Sequence, residues 1–148
     1  MTKRKSLDDA DSVTLKTTIF GASDGLVASI ALILATMTHG RKVVLAAVIG
    51  LLIAEGLGMA ASQFLSDPKR NLRQAMIMGV ATSIAIIVPA VPWIFLTGNT
   101  AAAISCVIAL TFAGLISRAR PGGWSTWLQT YGVLIGVGAI ATIAGRLT

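Results

Sequence analysis

The stretch Thr18–Thr38, TIFGASDGLVASIALILATMT, carries a single charge, Asp24, in 21 residues. A helix of about 20 mainly apolar residues is long enough to cross the hydrocarbon core of a bilayer. Four residues later a second such stretch begins, Val43–Leu65, VVLAAVIGLLIAEGLGMAASQFL, again with one charge, Glu55. Two spans joined by so short a link must lie antiparallel and side by side. The chain is therefore predicted to be an all-α membrane protein, and the two lone carboxylates become the centre of interest.

Working outward, three further apolar stretches complete the set: Ala75–Leu96, Thr100–Ser117 and Trp127–Gly145. The fourth span is the shortest. The remaining links are Ser66–Gln74, Thr97–Asn99 and Arg118–Thr126. Residues 1–17 form a polar N-terminal segment expected in the cytoplasm, and residues 18–148 one five-helix transmembrane domain. No cleavable leader is expected, because the polar start is too long for a typical n-region. Of the 148 residues, 55% are hydrophobic and only 12% charged, with a mean hydropathy of +0.81. The charged share is about half that of a soluble domain, so the lipid bilayer is the solvent for most of the chain.

The net charge of +6 does not mark a nucleic-acid binder, because the basic residues cluster at the ends of apolar stretches. With the N-terminus inside, Lys3, Arg4, Lys5, Lys16, Lys69, Arg70, Arg73, Arg118 and Arg120 lie on the cytoplasmic side. Arg41, Lys42 and Arg146 lie outside, a split of 9 to 3. The positive-inside rule then places the N-terminus in the cytoplasm and the C-terminus outside. Cys106, the single cysteine, excludes an intrachain disulfide and reads as a small buried hydrophobe. Gly132 and Gly136 make a GxxxG spacing, and Ala54, Gly58 and Ser62 a stripe of small residues. Close packing within one bundle is expected of both, with a dimer seam as the alternative.

A charge near the bilayer centre costs roughly 2.5–3.5 kcal/mol on insertion scales and usually faces a protein interior, water or a cation. Leu26–Thr38 alone is too short to span, so the first helix is expected to begin near Thr17 or Thr18, which draws Asp24 ~9 Å into the membrane. The alternative is a satisfied carboxylate near a helix start, where the dipole favours negative charge. Glu55 sits mid-span as a cation ligand or proton acceptor, or else as a protonated glutamate hydrogen-bonded across helices. Met59 shares its face one turn on and, counted from the inner end of its helix, is expected at the depth of Asp24. Gln63, a further turn down, is a neutral oxygen ligand at the cytoplasmic mouth or merely interfacial. Two carboxylates with a thioether favour a transition ion such as Fe²⁺ over Mg²⁺. Pro89 and Pro92 free backbone carbonyls that must be re-satisfied or line a cavity. His39 reads as interfacial.

These residues resemble motifs of the vacuolar iron transporter family, five-span carriers of divalent metal. IFGASDGLVASIALILA resembles the family's opening Gly-x-x-Asp-Gly-Leu-Val pattern, with its aspartate on Asp24. GLGMAASQFLS is similar to the close of the second span, with its methionine on Met59. PAVPW matches the Pro-x-x-Pro pattern at Pro89 and Pro92, and GAIATIAGRL the end of the fifth span. The resemblance implies a homodimeric proton antiporter moving Fe²⁺ or Mn²⁺ out of the cytosol, with metal on Asp24 and Met59. The residues' own position and spacing add Glu55 and Gln63 to the expected metal ligands, and the expected location is the cell (inner) membrane or else an endomembrane. No cofactor is implied beyond the transported ion. The chain departs from the pattern twice. Gln63 stands where members usually carry glutamate, and the Ser66–Gln74 link is too short for the cytoplasmic glutamate-rich domain. Two rivals remain. A small multidrug-type cation/proton antiporter needs aromatic walls, and Trp93, Trp124, Trp127 and Tyr131 are expected away from the first two spans or near span ends. A non-transporting assembly or regulatory module fits Gln63 and the short link but not paired intramembrane acids. No nucleophile–base constellation suggests an enzyme.

Overall fold

A computed structural model describes residues 2–120 and 123–147, with side chains from Ser12 onward. Among these residues all regular structure is helical: α1 (Thr2–Thr36), a 3₁₀ turn (Met37–His39), α2 (Arg41–Ser66), α3 (Leu72–Ala90), α4 (Pro92–Phe95), α5 (Gly98–Ala119) and α6 (Gly123–Leu147). Five of them, all but the four-residue α4, are long and apolar enough to span a membrane. The fold is thus an integral, multi-pass helical bundle.

Several boundaries differ from the sequence expectation, each for a local reason. α1 does not start near Thr17; it runs unbroken from Thr2, and its membrane-length apolar portion is Ser12–His39. Polarity reports the solvent around a segment, whereas no glycine or proline before Gly21 obliges the backbone to leave the helix. The third span is split. α3 stops at Ala90, and Pro92 opens the short α4, whose Trp93 is fully buried. The fourth span, expected to be short, has 22 residues because Gly98, with φ of 61°, lets the helix begin just after Thr97.

The link between α1 and α2 turns on Gly40, whose φ of 88° lies where side chains are strained and whose carbonyl accepts from the amides of Val43 and Val44. Between α2 and α3 the chain folds onto Asp67. Its carboxylate accepts from the amides of Lys69 and Asn71, and Asn71 then caps α3 by accepting from Gln74 at 3.4 Å. The whole link is Asp67–Asn71.

α3 is the axis of the bundle. It packs on α1, α2 and α5, while α6 packs chiefly on α1. Glycine makes these contacts close. A Cβ on Gly21 would come within 2.7 Å of the Met78 carbonyl oxygen, one on Gly25 within 2.5 Å of that of Thr82, and one on Gly79 within 2.7 Å of that of Gly56. On the far side of α1, a Cβ on Gly145 would collide with the Ala35 carbonyl. The glycines singled out by spacing play no such part. Gly58, Gly132 and Gly136 have nothing within 4 Å of where a Cβ would stand. Packing within one chain is therefore not their role. Spacing identifies small residues but not the direction they face, and here they lie on the outer surfaces of α2 and α6.

Pro89 removes the amide that would bond the Ala85 carbonyl one turn back. The hydroxyl of Ser29, fully buried on α1, reaches that carbonyl at 3.4 Å while also bonding its own Leu26 carbonyl at 2.9 Å. The carbonyl freed by Pro89 is thus re-satisfied from the neighbouring helix rather than lining a cavity.

Candidate functional site

Asp24 lies 22 residues beyond the first residue of α1 and 12 before its last, far from either helix terminus. The helix-start dipole therefore does not explain it, and that alternative is set aside. Gly21 and Gly25 flank it and hold α1 tight against α3. Asp24 itself is exposed at the side of the bundle.

Glu55, Met59 and Gln63 follow one another at i, i+4 and i+8 on α2, and all three are half-buried. Neighbouring Ala54, Leu57, Gly58, Ala61 and Ser62 are exposed, and Gly56 is buried against Ser83 and Gly79 of α3. The stripe therefore marks the edge of the α2 interface. Glu55 shares this face with Val48, seven residues earlier, and Val48 packs in one cluster with Ile33 of α1 and Ile86 of α3. The polar stripe thus continues the side of α2 that carries Val48 into this cluster.

α3 serves as a ruler for depth. Gly25 of α1 abuts Thr82, and Gly56 of α2 lies between Gly79 and Ser83. Asp24 and Glu55 therefore stand within about one residue rise, ~1.5 Å, of the same level. Met59 lies lower, one turn from Glu55, so the depth match expected between Asp24 and Met59 is replaced by one between the two carboxylates. Hydropathy locates the inner helix ends poorly, because polar residues at a membrane surface can continue a helix. Counting from the shared turn is better: Asp24 is 15 residues before His39 and Glu55 is 15 after Gly40.

Among the described residues neither carboxylate makes an ion pair or a side-chain hydrogen bond. Glu55 thus lacks the cross-helix partner that the protonated-glutamate alternative requires. Asp24 opens instead onto a cavity of about 500 Å³ between α1 and α6, lined also by Lys16, Phe20, Ser23, Arg120 and Val133. None of Glu55, Met59 and Gln63 borders that cavity. In the sequence, Lys16 and Arg120 report only membrane topology. Their 104-residue separation hides the fact that both share a cavity with Asp24. Among the described residues no three His, Cys, Asp or Glu side chains gather closely enough to hold a metal ion within one chain.

No family model, curated protein or solved structure matches the chain. The motif resemblance accordingly rests on its own residues.

The other polar candidates lie elsewhere. His39 is exposed at the α1–α2 turn, its Nδ1 3.1 Å from the Thr38 hydroxyl, which in turn donates to the Gly145 carbonyl at 3.2 Å. It is some 15 residues, or ~22 Å of helix, from Asp24. Trp127 and Tyr131 stack on α6 with centroids 5.9 Å apart, and Tyr131 donates to the Leu110 carbonyl. Neither borders the Asp24 cavity.

Proposed function

We propose that this chain is a secondary transporter of the vacuolar iron transporter type, exporting Fe²⁺ or Mn²⁺ from the cytosol in exchange for protons. One observation carries the reading: two partnerless carboxylates stand at one level on adjacent helices of membrane-spanning length. A carboxylate in that setting without a fixed partner is best accounted for by a mobile one, a proton or a cation. Two protonated carboxyls and one divalent cation on two carboxylates carry the same net charge. The exchange of two protons for one metal ion therefore moves the site between states of equal charge, which a low-dielectric surrounding favours. Met59, one turn below Glu55, supplies a soft donor that favours transition ions over Mg²⁺, and Gln63 a neutral oxygen further down.

A single chain gathers too few donors for a closed coordination shell. We infer that a second copy completes it, with a homodimer enclosing the path. The basic residues support an orientation with the N-terminus in the cytoplasm and the C-terminus outside, in the cell (inner) membrane or else an endomembrane. A second reading is favoured by the cavity that Asp24 shares with Lys16 and Arg120: Asp24 would then compensate fixed cations in a non-transporting module.

Metal flux into proteoliposomes separates the two readings. Transport predicts Fe²⁺ or Mn²⁺ uptake that quickens when the lumen is acidic and is lost in Asp24→Ala. Absence of gradient-driven flux from the intact protein across a panel of divalent ions would overturn it.

A further inference from the structure

The Asp24 cavity has a neighbour. A second cavity of about 350 Å³, walled by α1, α5 and α6, shares Ser23, Val27, Arg120 and Val133 with the first. The two form one continuous crevice along α1 and α6. α1 and α6 run parallel, since Gly138 faces Ile30 and Leu34 while Gly145 faces Ala35. Extending that register downward places Lys16 beside the first turn of α6, with Arg120 just before it in the chain. Trp124 at that turn is 80% exposed and Trp127 is also exposed. Exposed tryptophans mark the headgroup level of a membrane protein. Both cations of the crevice therefore sit at headgroup depth, and above them rise apolar walls left unpacked by the bundle: Phe20 is 60% and Val133 54% exposed.

We propose that this crevice binds an anionic phospholipid, its phosphate held by Lys16 and Arg120 and an acyl chain lying along Phe20, Val27 and Val133. Basic pockets between membrane helices, with charge at the headgroup and hydrocarbon above, suit this ligand class. Long basic side chains reach to the interface while their stems stay on apolar surface. The Ser23 hydroxyl is buried without a hydrogen-bond partner, and Gln129 also lines the crevice, so polar donors are at hand for the ester and phosphate oxygens.

Asp24 is the one acidic group among the described residues of the lining. It stands eight residues, or ~12 Å, above Lys16, and no ion pair ties it to either cation among the described residues. Among its described residues the lining thus keeps a net positive charge, with its cations at the mouth. Charge also favours lipid over a second copy of the chain in this crevice, so the homodimer contact proposed above would lie on another face of the bundle. A two-fold contact through this crevice would set Lys16 and Arg120 against their own duplicates, whereas a phosphate neutralises them.

The test uses the full-length protein purified in a neutral detergent, with bound lipid counted by native mass spectrometry. Phosphatidylglycerol is titrated against chain-matched phosphatidylcholine, with inorganic phosphate and glycerophosphate as competitors. Phosphatidylglycerol should be retained at least about tenfold better than phosphatidylcholine. At about 1 kcal/mol per basic residue, Lys16→Gln and Arg120→Gln should each weaken retention roughly fivefold, and the pair roughly thirtyfold. Arg118→Gln, exposed at the same end but outside the crevice, should leave it unchanged, and Asp24→Asn should bind at least as well as the parent. Equal retention of the two lipids, or an Arg118 effect matching that of Arg120, would overturn the proposal. So would displacement by inorganic phosphate at lipid-like concentration, which would mean a free-anion site. Lipid-insensitive disulfide dimers of Val133→Cys would mean that a second copy occupies the crevice.

Discussion

Substituting Gly25 by alanine tests the contact that sets the depth of Asp24. The new Cβ would stand 2.5 Å from the Thr82 carbonyl oxygen and 3.1 Å from its carbon and Cα. All three atoms are backbone, so no side-chain rotation relieves the clash. An ordinary carbon–oxygen contact is about 3.3–3.6 Å, so α1 and α3 must part locally by nearly 1 Å. A gap of that size forfeits about a quarter to a half of each dispersion contact lining it. Forcing a methyl group into a packed interior typically costs about 1–3 kcal/mol. Against this, alanine gains about 1 kcal/mol over glycine in a helix interior, so the net loss is ~0–2 kcal/mol. Gly58 and Gly132 are the internal controls. With nothing within 4 Å of either Cβ position, alanine there keeps the propensity gain and meets no clash within the chain. The difference between Gly25→Ala and these controls, ~1–3 kcal/mol, isolates packing because propensity cancels. Unfolding by SDS titration, followed by tryptophan fluorescence, measures it. The midpoint should fall clearly for Gly25→Ala relative to Gly58→Ala and Gly132→Ala. Equal or greater stability of Gly25→Ala would refute the close α1–α3 contact, and with it the shared level of Asp24 and Glu55.

Asp24→Ala and Glu55→Ala should each abolish metal flux in proteoliposomes while preserving expression, because removing an intramembrane charge relieves about 2.5–3.5 kcal/mol of insertion cost; wild-type flux in both would make the carboxylates structural. Met59→Leu, a swap that usually costs under about 1.5 kcal/mol, should weaken Fe²⁺ more than Mg²⁺ in competition assays, and an unchanged preference would demote Met59 to packing. A reporter active only in the cytoplasm, fused to Thr148, should stay silent; strong activity there would mean inverted insertion or an even number of spans.

Much of this molecule is legible without coordinates. The runs of apolar residues around Asp24 and Glu55 dictate spanning helices, because a continuous apolar stretch of about 20 residues satisfies its own backbone in a bilayer as a helix. Short links make consecutive spans antiparallel, and the separation of Glu55, Met59 and Gln63 by whole turns puts them on one face. Even the common level of Asp24 and Glu55 is implicit in their equal distances from the His39–Gly40 turn. Tertiary structure alone decided which glycines are buried. Gly25, Gly56 and Gly145 carry helix contacts while Gly58, Gly132 and Gly136 face outward, because rotation of each helix about its axis depends on all its neighbours at once. It alone brought the Ser29 hydroxyl to the carbonyl freed by Pro89, and Lys16 and Arg120 to the cavity of Asp24. Those pairings join residues 56 and 104 positions apart, beyond the reach of any local period. Helical periodicity specifies what shares a face along one helix, but only the packing of five helices specifies what that face meets.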